Sequence, residues 1–401
     1  MGVVIVGAGQ AGAWVARSLR GSGYQGSVTL LGREPSMPYE RPPLSKSVLS
    51  GEEAHPPVLL TAQQCDSLGV NFLPCTEVIG VDRTKREVTS AQGTIFPYSK
   101  LVLTTGGRAR KLSCPGAELP GVYSLRTVED SRAIAGVLQP GSRLLVVGGG
   151  WIGLEIAATA RKKQVQVTLL EAGPRLCART VPPVISDVLL RWHTTAGVQV
   201  RLSTTIDAID SGTSRALRAT IANWNSQEYD AIVVGIGLAV ETGLAEQSGL
   251  LVHDGIVVDQ TGRTSDPDIY AAGDVASQVS SWVPGRLRLE SWANAQNQAI
   301  VVGKTLAGMA VTYDDAPWFW SDQYGKNLQI LGIPSNDMEG VLRGSLHGDS
   351  FSIFQLSNGK IHSAIAVNSP RDIKVAKRWM RDGSCPPAAV IGDPAVRLDK
   401  L

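Results

Sequence analysis

The sequence predicts an α/β protein with two dinucleotide-binding segments and a smaller α+β region at its C-terminal end. Three observations support this prediction: a glycine motif at residues 7–12, a second at residues 148–153, and short alternating apolar segments after residue 316. Each glycine motif follows an apolar run typical of a buried strand and opens a helical pattern. A chain of 401 residues is long enough for two or three domains with their own cores.

The spacing of the glycines has a physical basis. The first permits a tight turn out of the strand, the second lets the backbone approach a pyrophosphate, and the third lets the helix pack on the strand. The helix N-terminus then presents its N–H groups to the phosphates. A single motif could be an ordinary turn, but two in strand–turn–helix context predict two bound dinucleotides. The expected contacts are Gly7, Gly9, Ala11 and Gly12, then Gly148, Gly150, Ile152 and Gly153.

Composition excludes several classes of protein. A net charge of +2 with 18% charged residues lacks the basic excess typical of nucleic-acid or membrane-surface binding. The N-terminus runs directly into a strand, and the longest apolar stretch, residues 144–160, contains glycines and Glu155. We therefore expect a cytoplasmic protein without a membrane span. The five cysteines form no CxxC pair, and they and the histidines are dispersed, so we expect neither a redox disulfide nor a metal site.

The strand and helix patterns place further candidate residues at strand ends. Residues 101–107, 229–237 and 264–274 each predict a buried strand that runs into a glycine turn, where the backbone can approach a ligand. Asp274 suits the ribityl hydroxyls of a flavin; it could also cap a helix predicted to follow it. The same patterns predict helices over residues 13–22, 130–138 and 372–380. The candidate contacts are Thr105, Gly106, Gly235, Gly237, Gly273 and Asp274.

An acidic residue beyond the second strand of such a motif usually binds ribose hydroxyls. After the second motif this residue is Glu171, which favours NADH because a carboxylate repels the 2′-phosphate of NADPH. Arg175 nearby argues in the other direction, and a solvated strand end is the alternative for Glu171. After the first motif the candidate is Glu34, although Arg33 occupies the more expected position.

Two segments outside the glycine motifs are also informative. Residues 38–46, Pro-Tyr-Glu-Arg-Pro-Pro-Leu-Ser-Lys, form a stiff loop that leads into a helix, or else a rigid surface turn. Residues 318–320 are Trp-Phe-Trp, and three consecutive aromatics rarely all face one core. We expect at least one of them to face a flavin or a partner; the alternative is that all but one pack in the core.

Four motifs together resemble one family. They are the loop at residues 38–46, Gly-Gly-Gly-Trp-Ile-Gly-Leu-Glu, Thr-Ser-Asp-Pro-Asp-Ile-Tyr-Ala-Ala-Gly-Asp, and Pro-Trp-Phe-Trp-Ser-Asp-Gln. The sequence resembles NADH-dependent ferredoxin reductases of bacterial oxygenase systems over almost its whole length. The resemblance implies a glutathione-reductase-like fold with non-covalent FAD and NADH. It also implies an FAD domain at 1–110 and 242–315, an NAD domain at 111–241 and a C-terminal domain at 316–401.

The resemblance also implies roles for individual residues. Lys46 would lie near the flavin N5, and Glu155, near the nicotinamide carboxamide, would pair with it. Such a pair would stabilise negative charge on the reduced flavin and keep Lys46 charged. Asp274 would bind the ribityl chain and Trp292 would lie near the pyrimidine end of the ring. The remaining expected cofactor contacts are Arg33 or Glu34, Arg41, Val78, Arg126 and Trp320, and Thr105 replaces the usual alanine.

The implied reaction passes hydride from NADH to FAD and then single electrons to a [2Fe-2S] ferredoxin. That ferredoxin would feed a mono- or dioxygenase of aromatic or terpene degradation. Because such ferredoxins are usually acidic, we expect a basic docking surface. Four cations at helical spacing form one candidate face, with a solvated helix face as the alternative: Lys374, Lys377, Arg378 and Arg381. A second basic group comprises Arg108, Arg110 and Lys111.

Two other functions remain as alternatives. An NADH oxidase or peroxidase of this fold needs a reactive cysteine near the flavin, and neither Cys65 nor Cys75 has the family position. An NADH-sensing flavoprotein similar to apoptosis-inducing factor would show slow turnover, and the lack of long insertions argues against it.

Overall fold

The computed structural model describes residues 1–213, 216–222 and 224–401. Its α-helices are α1 (Gln10–Gly21), α2 (Ser47–Ser50), α3 (Ala62–Leu68), α4 (Val128–Val137), α5 (Trp151–Lys162), α6 (Pro183–Thr195), α7 (Gly243–Gln247), α8 (Trp292–Leu306), α9 (Pro370–Asp382) and α10 (Ala388–Gly392). Single 3-10 turns occur at Pro42–Ser45 and Leu398–Lys400.

The strands are β1 (Gly2–Val6), β2 (Val28–Leu31), β3 (Val70–Leu73), β4 (Val78–Asp82), β5 (Glu87–Ser90), β6 (Ile95–Leu103), β7 (Gly107–Ala109), β8 (Val122–Ser124), β9 (Arg143–Val147), β10 (Gln166–Leu170), β11 (Gln199–Arg201), β12 (Ile206–Ser211), β13 (Leu217–Ile221), β14 (Gln227–Tyr229), β15 (Ala231–Val234), β16 (Leu238–Val240), β17 (Ile256–Val258), β18 (Ile269–Ala271), β19 (Ala276–Val279), β20 (Arg286–Leu287), β21 (Trp318–Gln323), β22 (Lys326–Gly332), β23 (Gly340–Gly344), β24 (Phe351–Ser357) and β25 (Lys360–Val367).

The described chain divides into two compact units. Unit 1 comprises Met1–Arg41, Pro56–Arg108 and Ala239–Pro317, and unit 2 comprises Pro42–His55, Ala109–Leu238 and Trp318–Leu401. Unit 1 therefore contains the first glycine motif, whereas unit 2 contains the second motif together with the C-terminal segment. The boundaries of an FAD domain, an NAD domain and a C-terminal domain stay a prediction.

Unit 1 is built on a sheet with the order β3-β2-β1-β6-β5-β4, and β18 pairs with β6. The strands β1, β2, β3, β6 and β18 run parallel, and all five residues of β1 are buried. Helices α1 and α8 pack closely because Gly303 lacks a side chain: a Cβ there would lie 2.8 Å from the backbone nitrogen of Leu19. Ser18 also donates from its hydroxyl to the Ile300 carbonyl at 2.8 Å.

Unit 2 contains a second parallel sheet with the order β11-β10-β9-β15-β8. Its central strands are near-continuous apolar runs, as expected for a parallel sheet covered on both faces. The antiparallel strands β12, β13 and β14 form a separate small sheet in the same unit.

The C-terminal segment of unit 2 forms an antiparallel sheet with the order β21-β22-β25-β24-β23. Helix α9 packs on it through its apolar side, where Ile373, Ala376 and Trp379 are buried. The ring of Trp379 lies 6.4 Å from that of Phe354 on β24. The cations of α9 are consequently left on the side of the helix away from this core.

Most predicted elements occur within a few residues of their expected ends. The helix expected at 372–380 spans Pro370–Asp382, and the one expected at 130–138 is α4, which starts at a capping box formed by Thr127 and Asp130. The expectation of a helix after Asp274 was wrong, because Ala276 begins β19 and pairs with Ile256 of β17. Asp274 is therefore not a helix cap. Among the described residues, no helix is long and apolar enough to cross a membrane.

Candidate functional site

The glycine loop of unit 1 combines two glycines that the fold requires with one that it does not. Gly7 has a φ of 105°, a left-handed conformation that side chains rarely adopt. A Cβ on Gly12 would lie 1.9 Å from the Gly7 carbonyl oxygen, whereas one on Gly9 would meet nothing within 4 Å. Gly9 is extended, so its backbone would accept a side chain. The open space above Gly9 fits the approach of a pyrophosphate.

The glycine loop of unit 2 repeats this geometry. Gly148 has a φ of 114°, and a Cβ on Gly153 would lie 2.0 Å from the Gly148 carbonyl oxygen. A Cβ on Gly150 would again meet nothing within 4 Å. Gly9 and Gly150 are the N-caps of α1 and α5 and provide no side-chain cap. The first N–H groups of both helices can therefore bind phosphate, which is the arrangement FAD and NADH require.

Each loop packs against the end of a neighbouring parallel strand. A Cβ on Gly7 would lie 2.3 Å from the Thr104 carbonyl oxygen after β6, and one on Gly148 would lie 2.4 Å from the Gly235 carbonyl oxygen after β15. The Thr105 hydroxyl donates to the Glu241 carbonyl at 2.8 Å. These contacts explain why small residues end both strands. The structure thus brings Thr105 to the loop of unit 1 and Gly235 to the loop of unit 2. The carbonyls of Gly106 and Gly237 instead accept from the backbone N–H groups of Glu241 and Arg110.

Glu171 is fixed beside the second loop. Its carboxylate accepts hydrogen bonds from the backbone N–H of Gly149 at 2.7 Å and of Gly173 at 2.6 Å. Arg175 is held elsewhere, because its guanidinium donates to the Val181 carbonyl at 2.6 Å and to the Ala178 carbonyl at 2.8 Å. The negative charge of Glu171 therefore lies at the loop, while Arg175 braces a neighbouring turn.

Beyond the first loop, Glu34 and Arg33 have different surroundings. Glu34 forms an ion pair with Arg41 at 2.5 Å and accepts a hydrogen bond from the Tyr39 hydroxyl. Arg33 is 60% exposed and lies 3.8 Å from Glu77. The stiff loop beginning at Pro38 thus folds back on Glu34 within unit 1.

Unit 1 also gathers polar groups at the start of α8. With its amide oriented so that the oxygen can accept, Gln10 lies 3.1 Å from the indole N–H of Trp292 and 3.2 Å from that of Trp14. Burial raises the pKa of Glu40, and a hydrogen bond to Trp292 opposes that rise. Asp274 follows β18, is half-buried, and its carbonyl accepts from Arg288 at 3.2 Å.

An ion pair joins the half-buried Lys46 to the buried Glu155 in unit 2. The Lys46 Nζ lies 2.7 Å from Glu155 Oε2, which also accepts from the Ser45 hydroxyl at 2.5 Å. The other oxygen, Oε1, accepts from the Ser321 hydroxyl at 2.6 Å. Glu155 is only 3% exposed, so it needs these donors to offset the loss of water. The pairing expected between Lys46 and Glu155 is present.

The hydrogen bonds continue from Ser321 into the interior. Gln323 Nε2 lies 3.0 Å from Ser321 Oγ, and Gln323 Oε1 lies 2.9 Å from His193 Nε2. The other ring nitrogen of His193 lies 2.9 Å from the Tyr324 hydroxyl. Burial lowers the pKa of His193 to about 4, so the ring is neutral at neutral pH. Ser45, Ser321 and Gln323 lie in motifs that carry the family resemblance, but no role was expected for their side chains or for that of His193.

The three aromatics of β21 separate by strand alternation. Phe319 shares a face with Ser321 and packs on Trp151 at a ring distance of 5.0 Å. Trp318 and Trp320 lie on the opposite face and stack at 5.1 Å. The indole N–H of Trp320 donates to Asp322 at 3.1 Å.

Three further residues were expected to contact a cofactor: Val78, Ile152 and Arg126. Val78 is buried in the core of unit 1, and Ile152 is 43% exposed at the start of α5. The backbone N–H of Arg126 donates to Asp130 at 2.9 Å, which places Arg126 just before α4.

The candidate docking cations differ in their exposure and in the groups they contact. Lys374, Lys377 and Arg381 are exposed on α9, whereas Arg378 is half-buried and donates to the carbonyls of Leu398 and Leu401. In the second basic group, Arg108 pairs with Glu241 at 3.1 Å, Lys111 pairs with Glu118 at 3.1 Å, and Arg110 donates to the Leu238 carbonyl at 2.9 Å. Arg108 and Lys111 are as exposed as the α9 lysines, but both are held in ion pairs.

Two of the cysteines are unsuited to redox attack. Cys65 and Cys177 are buried, and burial raises the pKa of both thiols. A thiol that stays protonated is a poor nucleophile. Among the described residues, no group of three or more His, Cys, Asp or Glu side chains could hold a metal ion.

The chain is similar to known proteins over most of its length. Residues 1–299 match the family described as pyridine nucleotide-disulphide oxidoreductase, and residues 318–401 match the family described as reductase C-terminal. Rhodocoxin reductase of Rhodococcus erythropolis is 40% identical, and the match covers 94% of this chain and 89% of that protein. The ferredoxin–NAD(+) reductase component of the p-cumate 2,3-dioxygenase system of Pseudomonas putida is 38% identical, with 99% and 97% covered.

A solved structure is also similar to this chain. The reductase in the covalent putidaredoxin reductase–putidaredoxin complex superimposes with a TM-score of 0.95 at 35% identity, covering 100% of this chain and 97% of that chain.

Proposed function

We propose residue roles for electron transfer in this chain, which belongs to the pyridine nucleotide-disulphide oxidoreductase family and is a ferredoxin–NAD(+) reductase. When bound, FAD accepts a hydride from NADH and releases electrons one at a time to a ferredoxin. The chain positions the two nucleotides and sets the charge around them. The loop of Gly7, Gly9 and Gly12 holds the FAD pyrophosphate, and the loop of Gly148, Gly150 and Gly153 holds that of NADH.

The observation that carries the proposal is the ion pair of Lys46 with the buried Glu155. Glu155 lies on α5, the helix that begins at the second glycine loop, and its carboxylate holds the Lys46 ammonium at 2.7 Å. A cation that a buried carboxylate holds in place stabilises negative charge that develops beside it, at no cost of reorientation. We assign Lys46 to the flavin N5 and Glu155 to holding Lys46 in place.

Replacement of Lys46 tests this assignment. K46M should slow flavin reduction by NADH on the order of 100-fold, the usual effect of removing one preorganised electrostatic group. E155Q should slow it by about tenfold, because a hydrogen bond to a charged group is weakened while Lys46 remains. Stopped-flow absorbance of the FAD-loaded protein measures both.

The matched control is K162M. Lys162 lies on α5, the helix that also contains Glu155. Like Lys46 it pairs with a glutamate, Glu52, but both side chains of this pair are exposed. K162M should reduce the flavin at the wild-type rate. If K46M were within twofold of K162M, Lys46 would have no role in the chemistry.

The partner is a ferredoxin, and we propose that it is acidic and docks on α9. The support is the exposure of Lys374, Lys377 and Arg381 on one side of a helix whose other side is buried. Arg378 instead anchors the C-terminal residues. Complementary charge steers such encounters and is weakened by salt. We further propose that the enzyme acts in the cytoplasm, where the ferredoxin supplies an oxygenase.

Charge reversal tests the docking face. K374E/K377E should raise the KM for ferredoxin by about tenfold at low salt and leave reduction of a small dye unchanged. K360E is the control, since Lys360 is exposed on β25 of the same sheet. Equal ferredoxin kinetics in K374E/K377E and K360E would exclude α9 as the docking surface.

A further inference from the structure

Buried polar side chains continue from Glu155 on the side away from Lys46. In order they are Ser321, Gln323, His193 and Tyr324, and each contacts the next at 2.9 to 3.0 Å. Ser321, Gln323 and His193 are 1%, 2% and 0% exposed. A polar chain of this length in a protein core is costly unless every member has its partner. Here each one does.

The chain has one direction of donation. The carboxylate of Glu155 accepts from the Ser321 hydroxyl, so the Ser321 oxygen must accept from the Gln323 amide nitrogen. The Gln323 oxygen then faces His193 Nε2, which must carry the proton. His193 Nδ1 is left to accept from the Tyr324 hydroxyl. The orientation of the amide and the tautomer of the imidazole are thus both set by the carboxylate.

Local structure explains how the chain is assembled. Ser321 and Gln323 are two residues apart on β21, so their side chains share the inward face of the strand. His193 comes from α6 and Glu155 from α5. The chain therefore connects two helices and a strand within unit 2.

The outer end of the chain is held by an unusual turn. Tyr324 and Gly325 join β21 to β22, and Tyr324 has a φ of 53°. Two-residue hairpins of this kind favour Asn, Asp or Gly at such a position. The Tyr324 ring contacts His193 edge-on at 5.0 Å in addition to its hydrogen bond. A bulky residue at a position that favours small ones indicates that the contact with His193 matters.

We propose that Ser321, Gln323 and His193 are positioning residues for the pair of Lys46 and Glu155. The inference rests on the role proposed above for that pair. A carboxylate can rotate, and Glu155 has to present one oxygen to Lys46. Ser321 fixes Oε1, which leaves Oε2 directed at Lys46 and Ser45, and Gln323 and His193 in turn fix Ser321.

A double-mutant cycle tests the proposal. Q323M keeps the length and volume of the side chain but removes both hydrogen bonds, and S321A removes the link to Glu155 directly. Each should slow flavin reduction by NADH by about three- to tenfold with less than a twofold change in the Kd for NADH. In an E155Q background neither should slow it further, because the carboxylate that the chain orients is already absent.

A second measurement is independent of turnover. In wild-type protein labelled with 15N-histidine, the His193 ring should carry its proton on Nε2 and accept a hydrogen bond at Nδ1. E155Q should shift the His193 Nε2 resonance through the two intervening side chains, and Q323M should shift it more. T194A is the control for both measurements, since Thr194 is exposed on α6 next to His193 and should leave the rate and the resonance unchanged.

The possible failures can be told apart. If E155Q itself reduces the flavin at the wild-type rate, the role of the pair is wrong. If E155Q is slow while S321A and Q323M are at the wild-type rate, the pair acts but the chain does not position it. If Q323M slows reduction equally in both backgrounds, its effect does not pass through Glu155. Each of these results overturns the inference.

Discussion

The two glycine loops have nearly the same backbone and different surroundings. Gly7 and Gly148 have φ angles of 105° and 114°, and the third glycine of each loop would place a Cβ 1.9 or 2.0 Å from the first glycine's carbonyl oxygen. The acidic residue that follows differs: Glu34 is paired with Arg41, whereas Glu171 accepts two backbone N–H groups. The two loops thus share their geometry, and they differ in the contacts of the acidic residue beyond the second strand.

The largest expected effect comes from filling the open space in each loop. G9V should yield protein that no longer retains FAD, and G150V should keep its FAD but bind NADH about 100-fold more weakly, because a side chain displaces the pyrophosphate from its backbone donors. Both positions are extended, so valine should not strain the backbone. Flavin absorbance after gel filtration and NADH titration measure the two effects.

Alanine at the third glycine is the contrasting variant. G12A and G153A should lower the melting temperature, since their Cβ atoms would overlap a carbonyl oxygen. If G9V retained FAD while G150V bound NADH normally, the two loops would not be the nucleotide sites.

A smaller effect is expected at Glu171. E171Q should reduce the preference for NADH over NADPH by about tenfold, because a carboxylate no longer repels the 2′-phosphate. The ratio of the two flavin reduction rates at limiting nucleotide concentration measures it. E118Q, at an exposed residue paired with Lys111, should keep the wild-type ratio. An unchanged ratio in E171Q would show that Glu171 does not contact the ribose.

The smallest effect concerns the pH dependence of stability in unit 2. Burial lowers the pKa of His193 to about 4 in the folded state, below its ordinary value of about 6.5. The unfolded chain therefore binds a proton first, and the stability that this His contributes is complete above pH 6.5 and is lost as the pH falls towards 4. The slope is up to about 1.4 kcal/mol per pH unit.

The melting temperature of H193Q should consequently fall less than that of the wild type when the pH is lowered from 7 to 5. Calorimetry at several pH values measures this, and T194A should follow the wild type. Equal pH slopes in H193Q and the wild type would mean that His193 is not held neutral.

Local patterns in the sequence predicted the loops and the parallel strands because glycine spacing and apolar runs are local signals. Helix α9 and the pair of Lys46 and Glu155 were also expected, the pair through resemblance to a family. The helix expected after Asp274 was wrong because pairing between β19 and β17 prevailed over a local cap signal. No pattern in the sequence connected His193 on α6 with Ser321 and Gln323 on β21, because His193 lies 128 residues from Ser321 and 130 residues from Gln323. Ser321 and Gln323 belong to the motif Pro-Trp-Phe-Trp-Ser-Asp-Gln, but the motif assigned no role to their side chains.

The most direct test of these roles is stopped-flow reduction of the FAD-loaded protein by NADH and by NADPH, followed by mixing with an acidic [2Fe-2S] ferredoxin. We expect fast bleaching of the flavin by NADH, slow bleaching by NADPH, and prompt reoxidation by ferredoxin but not by air. Slow bleaching by NADH, with a persistent long-wavelength band and no reoxidation by ferredoxin, would contradict these roles.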